Sequence, residues 1–103
     1  MYVTERQAKR FWSRVNKTPG CWEWQGSRDP KGYGQVSIGP SRRWKIVKAH
    51  RVAFFLTYGT LPTQRNIFLD HLCHNPPCVR PDHLEAVTCS INMQRHYAWV
   101  RQL

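Results

Sequence analysis

Acidic residues are the scarcest class in this 103-residue chain. Six Asp and Glu face sixteen Lys and Arg, which leaves a formal net charge of +10 and an isoelectric point near 10.1. Long apolar runs are also missing. No stretch of about 18 apolar residues occurs, which excludes a membrane-spanning helix. The opening segment MYVTERQAKRFW lacks the apolar core of a secretory signal, so a cytoplasmic protein is expected. Low-complexity segments, linkers and internal repeats are absent. The length leaves room for one domain and excludes an enzyme with separate cofactor and substrate domains. What is present is apolar enough to fold. Hydrophobic residues make up 41% and aromatics 13%, with five Trp, which excludes a disordered basic tail. A chain this short buries only about 60–65% of its unfolded surface, so a covalent or metal staple would help it.

Ten excess positive charges repel one another in the folded state, and their usual counterpart is a polyanion, nucleic acid above all. A membrane surface would call for a basic amphipathic helix with a broad apolar face. The first helix is the only candidate, and its apolar face reads as core.

Four cysteines stand at Cys21, Cys73, Cys78 and Cys89. In a reducing cytoplasm an even count points to a metal before a disulfide. Cys73, Cys78 and His83 form a Cys-x4-Cys-x4-His loop stiffened by Pro76 and Pro77. Soft thiolates with an imidazole favour zinc. The fourth ligand falls to Cys21 or Cys89. Cys21 is favoured, because it would tie the N-terminal half of the chain to the loop.

Periodicity yields a coarse outline. A helix is expected over 4–17, with Thr4 and Gln7 as a capping box and Ala8, Phe11, Trp12 and Val15 on one face. Short strands follow over 21–25, 35–38 and 43–48, separated by Gly32-Tyr33-Gly34 and Gly39-Pro40. Trp22 and Trp24 share one strand face, and the Trp residues read mainly as core. A helix over 49–58 closes at Gly59. Strands over 67–70 and 84–87 flank the cysteine loop, and Thr88 caps a last helix over 89–102. The class is α+β.

Within that outline Asp70 and His71 end one strand, and Asn92 lies one turn into the last helix. A strand–loop–strand–helix unit can bring the three together. Two oxygen donors suit Mg²⁺ or a similar divalent cation, and an adjacent imidazole can act as general base on water.

The stretch DHLCHNPPCVRPDHLEAVTCSINMQR resembles the ββα-metal (His-Me finger) HNH endonucleases, above all zinc-stapled homing endonucleases and small phage HNH proteins. Weaker echoes occur at CWEWQG, GYGQ and AHRVA. The resemblance implies that His71 activates the water and that Asn92, 21 positions on, holds the catalytic metal with Asp70. It further implies that His83 stands where Asn is usual and joins Cys21, Cys73 and Cys78 around a structural zinc. The expected reaction is metal-dependent hydrolysis of double-stranded DNA by one HNH domain spanning 1–103. A cation near the scissile phosphate would help, and Arg95 and Arg51 are candidates. His50, His74 and His96 read as structural or surface residues. The basic strands around Arg42, Arg43, Lys45 and Lys48 would lie in a groove or track phosphates. One active site cuts one strand, so double-strand cleavage would require a homodimer or two visits. A bacterial or phage-infected cytoplasm is the expected setting. The alternative is a zinc-stapled nucleic-acid-binding module without chemistry; a protein-interaction domain would leave the charge unexplained.

Overall fold

Thr4 starts the first helix through a reciprocal cap. Its Oγ1 accepts from the Gln7 amide at 3.1 Å, and Gln7 Oε1 accepts from the Thr4 amide at 3.0 Å. The computed structural model describes residues 1–40, 42–62 and 67–100, without the side chains of Cys89, His96, Tyr97, Trp99 and Val100. Helix α1 covers Glu5–Ser13 and buries Phe11. It stops earlier than the periodicity over 4–17 implies. Val15–Lys17 leaves the helix as strand β1 and pairs antiparallel with β2, Trp22–Trp24, with Val15 opposite Trp24. Val15 fits the helical stripe and a strand equally well. The partner strand decides between them, as tertiary context often does for β-branched residues.

Trp24 is the anchor of the core. It is 1% exposed, stacks on Phe11 with centroids 5.0 Å apart, and donates its indole N–H to the Ser27 carbonyl at 3.0 Å. Its ring leaves no room beside it. A Cβ on Gly34 would lie 2.6 Å from the indole and 2.8 Å from the Ala49 side chain, and one on Gly26 would lie 2.7 Å away. Gly26 of CWEWQG and Gly34 of GYGQ are thus packing requirements. Phe11, Trp24, Ile38, Ala49, Val52, Ala53 and Val79 form one buried cluster.

Strands β3 (Gln35–Ile38) and β4 (Lys45–Lys48) make a second hairpin, with Val36 opposite Val47 and Ser37 opposite Ile46. Helix α2 (Ala49–Tyr58) follows directly and ends at Gly59, whose φ of 76° is the left-handed conformation that favours glycine. The last unit is β5 (Ile67–His71), the cysteine loop, a single 3-10 turn at Pro81–His83, β6 (Leu84–Thr88) and α3 (Cys89–Val100). β5 and β6 pair antiparallel, from Ile67 opposite Thr88 to His71 opposite Leu84. The fold is α+β, with three separate two-stranded ribbons among the described residues.

Candidate active site and metal centre

The cysteine loop is docked onto β2 by backbone bonds. The Trp24 amide donates to the Pro77 carbonyl at 2.9 Å and the Val79 amide to the Trp22 carbonyl at 2.7 Å. Arg80 Nη1 donates to the Pro19 and Gly20 carbonyls at 2.7 and 2.8 Å. This docking brings Cys21 to residues more than fifty positions away. The donor atoms of Cys21, Cys73, Cys78 and His83 all lie within 4.8 Å of one another.

His83 Nδ1 is 3.7 Å from Cys21 Sγ and 3.5 Å from Cys78 Sγ. A tetrahedral zinc with bonds near 2.3 Å to sulfur and 2.0–2.1 Å to nitrogen sets such pairs about 3.6 Å apart. The four residues therefore can hold a metal such as zinc. Burial pushes the Cys78 thiol up to about 12 and raises that of Cys73. The Asn75 side chain holds that of Cys21 below its usual value. Buried thiols of this kind ionise when a cation repays the desolvation. The alternative ligand Cys89 has its side chain outside the described residues.

A cavity of about 810 Å³ opens beside this cluster. Asp70, His71 and Asn92 all line it, together with Lys48, His50 and Arg51. β5 delivers the first two, and the first turn of α3 delivers Asn92. His71 is buried, and its Nε2 lies 2.9 Å from the Cys78 carbonyl. A carbonyl only accepts, so Nε2 carries the proton and Nδ1 keeps its lone pair. Burial holds the His71 pKa below the ordinary imidazole value, which favours the neutral ring. Cys78 thus serves two sites: its sulfur joins the metal-ligand cluster, and its carbonyl orients the imidazole.

Asp70 faces Glu85 across the β5–β6 ribbon. Like charges directly opposite are unfavourable in such a pair. Arg95 on α3 bridges them, with Nη1 3.2 Å from Asp70 and Nη2 3.1 Å from Glu85. Arg95 is not among the residues lining the cavity, whereas Arg51 and Lys48 are. Lys48 also pairs with Asp29.

Two residues stand nearer the site than their sequence reading indicates. His50 is 7% exposed and packs edge-on against His71, with centroids 4.6 Å apart. Burial, with His71 second, lowers its pKa to about 3. Its Nδ1 is buried without a hydrogen-bond partner. The Tyr33 ring lies 5.7 Å from His50 and 5.5 Å from His71. The only sequence signals for these two were the weak echoes at AHRVA and GYGQ. The side chain of His96 lies outside the described residues, and His74 is exposed and also lines the cavity.

On the β3–β4 ribbon Arg42, Arg43 and Lys45 are exposed. Trp44 is exposed too, at 57%, and so is a correction to the core reading of the Trp residues. Trp12, Trp22 and Trp24 do pack in the core.

This arrangement of strand, metal-ligand loop, strand and helix coincides with a family match. Residues 47–94 match the HNH endonuclease family. Two similar proteins come from Escherichia phage T7. Protein 2.8 is 42% identical over 69 residues, covering 67% of this chain and 43% of its own length. Protein 7.7 is 38% identical over 77 residues, covering 72% of this chain and 52% of its own length. The chain therefore spans about half the length of these relatives. No solved structure matches it. Among the described residues no helix is long and apolar enough to cross a membrane.

Proposed function

We propose that this chain is a metal-dependent endonuclease acting on double-stranded DNA. The observation that carries the reading is the shared cavity. One wall offers a neutral imidazole held by the Cys78 carbonyl, and Asp70 and Asn92 offer two hard oxygen donors. That donor set fits a hard divalent cation such as Mg²⁺, which prefers carboxylate and amide oxygens and retains sites for phosphate. When bound, such a cation supplies charge neutralisation at the scissile phosphate and leaving oxygen.

The chain's own residues supply the remainder. His71 takes the proton of the attacking water at Nδ1, since Nε2 is committed to Cys78. Arg95 fixes the Asp70 carboxylate and separates it from Glu85. With Arg95 so engaged, Arg51 is the better placed cation to meet substrate phosphate. The cluster of Cys21, Cys73, Cys78 and His83, with zinc, acts as a staple that aims His71 and takes no part in hydrolysis. Arg42, Arg43, Lys45 and Lys48 hold the DNA backbone.

The test is incubation of supercoiled plasmid with the zinc-loaded protein, with and without Mg²⁺, beside His71→Ala. Nicking that needs the added cation and falls about 10²–10⁴-fold in the variant supports hydrolysis. Plasmid that is bound but intact under every condition would leave a DNA-binding module without chemistry.

A further inference from the structure

The β3–β4 ribbon has two faces of different character. Its register pairs Val36 with Val47 and Ile38 with Lys45 on one face, and Ser37 with Ile46 and Gln35 with Lys48 on the other. The first face joins the core through Ile38, Val36 and Val47. On the second face Ile46 is 60% exposed, and Trp44, which immediately precedes β4, is 57% exposed. An isolated exposed apolar residue needs no explanation, but two large ones two positions apart on one exposed hairpin arm mark an interaction surface. The same face ends at Lys48, which lines the catalytic cavity.

The surroundings identify the partner. No Asp or Glu occurs between Asp29 and Asp70, a span that includes Arg42, Arg43, Lys45, Lys48 and Arg51. An apolar pair set in such a field suits a polyanion with apolar surface between its charges. Duplex DNA has that chemistry, since stacked bases lie inside two rows of phosphates. Proteins that press large apolar side chains between base steps use this combination.

We propose that Trp44 and Ile46 form an apolar wedge that packs against, and partly unstacks, the bases of duplex DNA beside the cleavage site. The proposal rests on the endonuclease reading for the position of the cut, but not for the contact itself. Trp44 stands four positions before Lys48, about 13 Å along an extended chain. That is about four base pairs along a strand rising 3.4 Å per nucleotide. The wedge therefore acts some four base pairs from the phosphate that Lys48 meets at the cavity, and it favours steps that unstack at low cost.

Two measurements test this, both with the zinc-loaded full chain. The first is binding without added divalent cation, comparing a 30-base-pair duplex with the same duplex carrying a central two-base mismatch. Wild type is expected to bind the mismatched duplex about ten-fold tighter, the scale of one base–aromatic stack. Trp44→Ala with Ile46→Ala abolishes the difference, and Trp44→Phe keeps most of it. Arg43→Gln weakens both duplexes alike. Equal binding by wild type, or an undiminished preference in the double variant, overturns the wedge. So does a wild-type dimer that the double variant turns into a monomer, which would place a second copy on this face. The second measurement maps cleaved ends on a random duplex library. Flexible pyrimidine–purine steps should recur at a constant offset from the cut in wild type and not in the double variant; the same pattern in both overturns the proposal. If wild type cuts nothing, the hydrolytic reading fails while the binding comparison still decides the wedge.

Discussion

Cys78 shows how much one residue can carry in a small fold. Its thiol faces His83, its carbonyl holds His71, and its amide closes the loop onto Asn75. His50 presents the opposite case, a buried imidazole with an unsatisfied nitrogen. Such a group costs stability wherever it is protonated. Its folded pKa of about 3 lies below the ordinary 6.5, so between those values the unfolded chain holds more protons. The stability contributed by neutral His50 is full above about pH 6.5 and is lost as pH falls toward about 3. Denaturation at pH 7 and pH 5 should show wild type losing roughly 2 kcal/mol more than His50→Phe. The comparison removes any acid sensitivity of the cysteine cluster, which both proteins share. Equal losses would contradict the burial of His50 as a neutral ring.

At the scale of elements, the unit from β5 to α3 works only if its loop is held. The loop contributes little apolar burial beyond Cys78, Val79 and Pro77, and its closure depends on ligands from two distant segments. Cys73→Ser or removal of zinc by a strong chelator is expected to unfold the loop. Apparent zinc-binding energies in small metal-stapled folds run to about 10–16 kcal/mol, so the loss should be cooperative and large. Metal content by mass spectrometry and circular dichroism would read it; full stability without zinc would contradict the staple.

Much of this unit was legible in the sequence, because ligand spacing and strand–loop–strand–helix order are local. The end of α1 was not, since Val15 satisfies both periods and only its pairing with β2 decides. Nor was the His71–Cys78 bond, which depends on how the two-proline loop folds back. His50 and Tyr33 reach the site through the docking of α2 and the Asp29–Tyr33 loop, contacts that no spacing rule records. Trp44 was misplaced because composition alone assigns aromatics to a small core.

Among the described residues, exposed Arg42, Arg43 and Lys45 lie on the ribbon, and Lys48 and Arg51 line the cavity that holds Asp70, His71 and Asn92. If Arg42, Arg43, Lys45, Lys48 and Arg51 each neutralise a phosphate, log K for DNA should fall against log salt with a slope of about −4 to −5. Replacing Arg43 and Lys45 by Gln should reduce that slope by about one for each residue. An unchanged slope would move the DNA to another face.

In the proposed reaction Asp70 and Asn92 share one hydrolytic cation beside His71. The most direct test of that reaction is the single-turnover cleavage rate of zinc-loaded protein, titrated with Mg²⁺ or Mn²⁺. Asp70→Ala and Asn92→Ala should shift the half-saturating cation concentration upward by about ten-fold or more, the scale on which lost ligands weaken metal sites. His71→Ala should lower the plateau and leave that midpoint in place. A midpoint that ignores Asp70 and Asn92, or a plateau that survives the loss of His71, would contradict it.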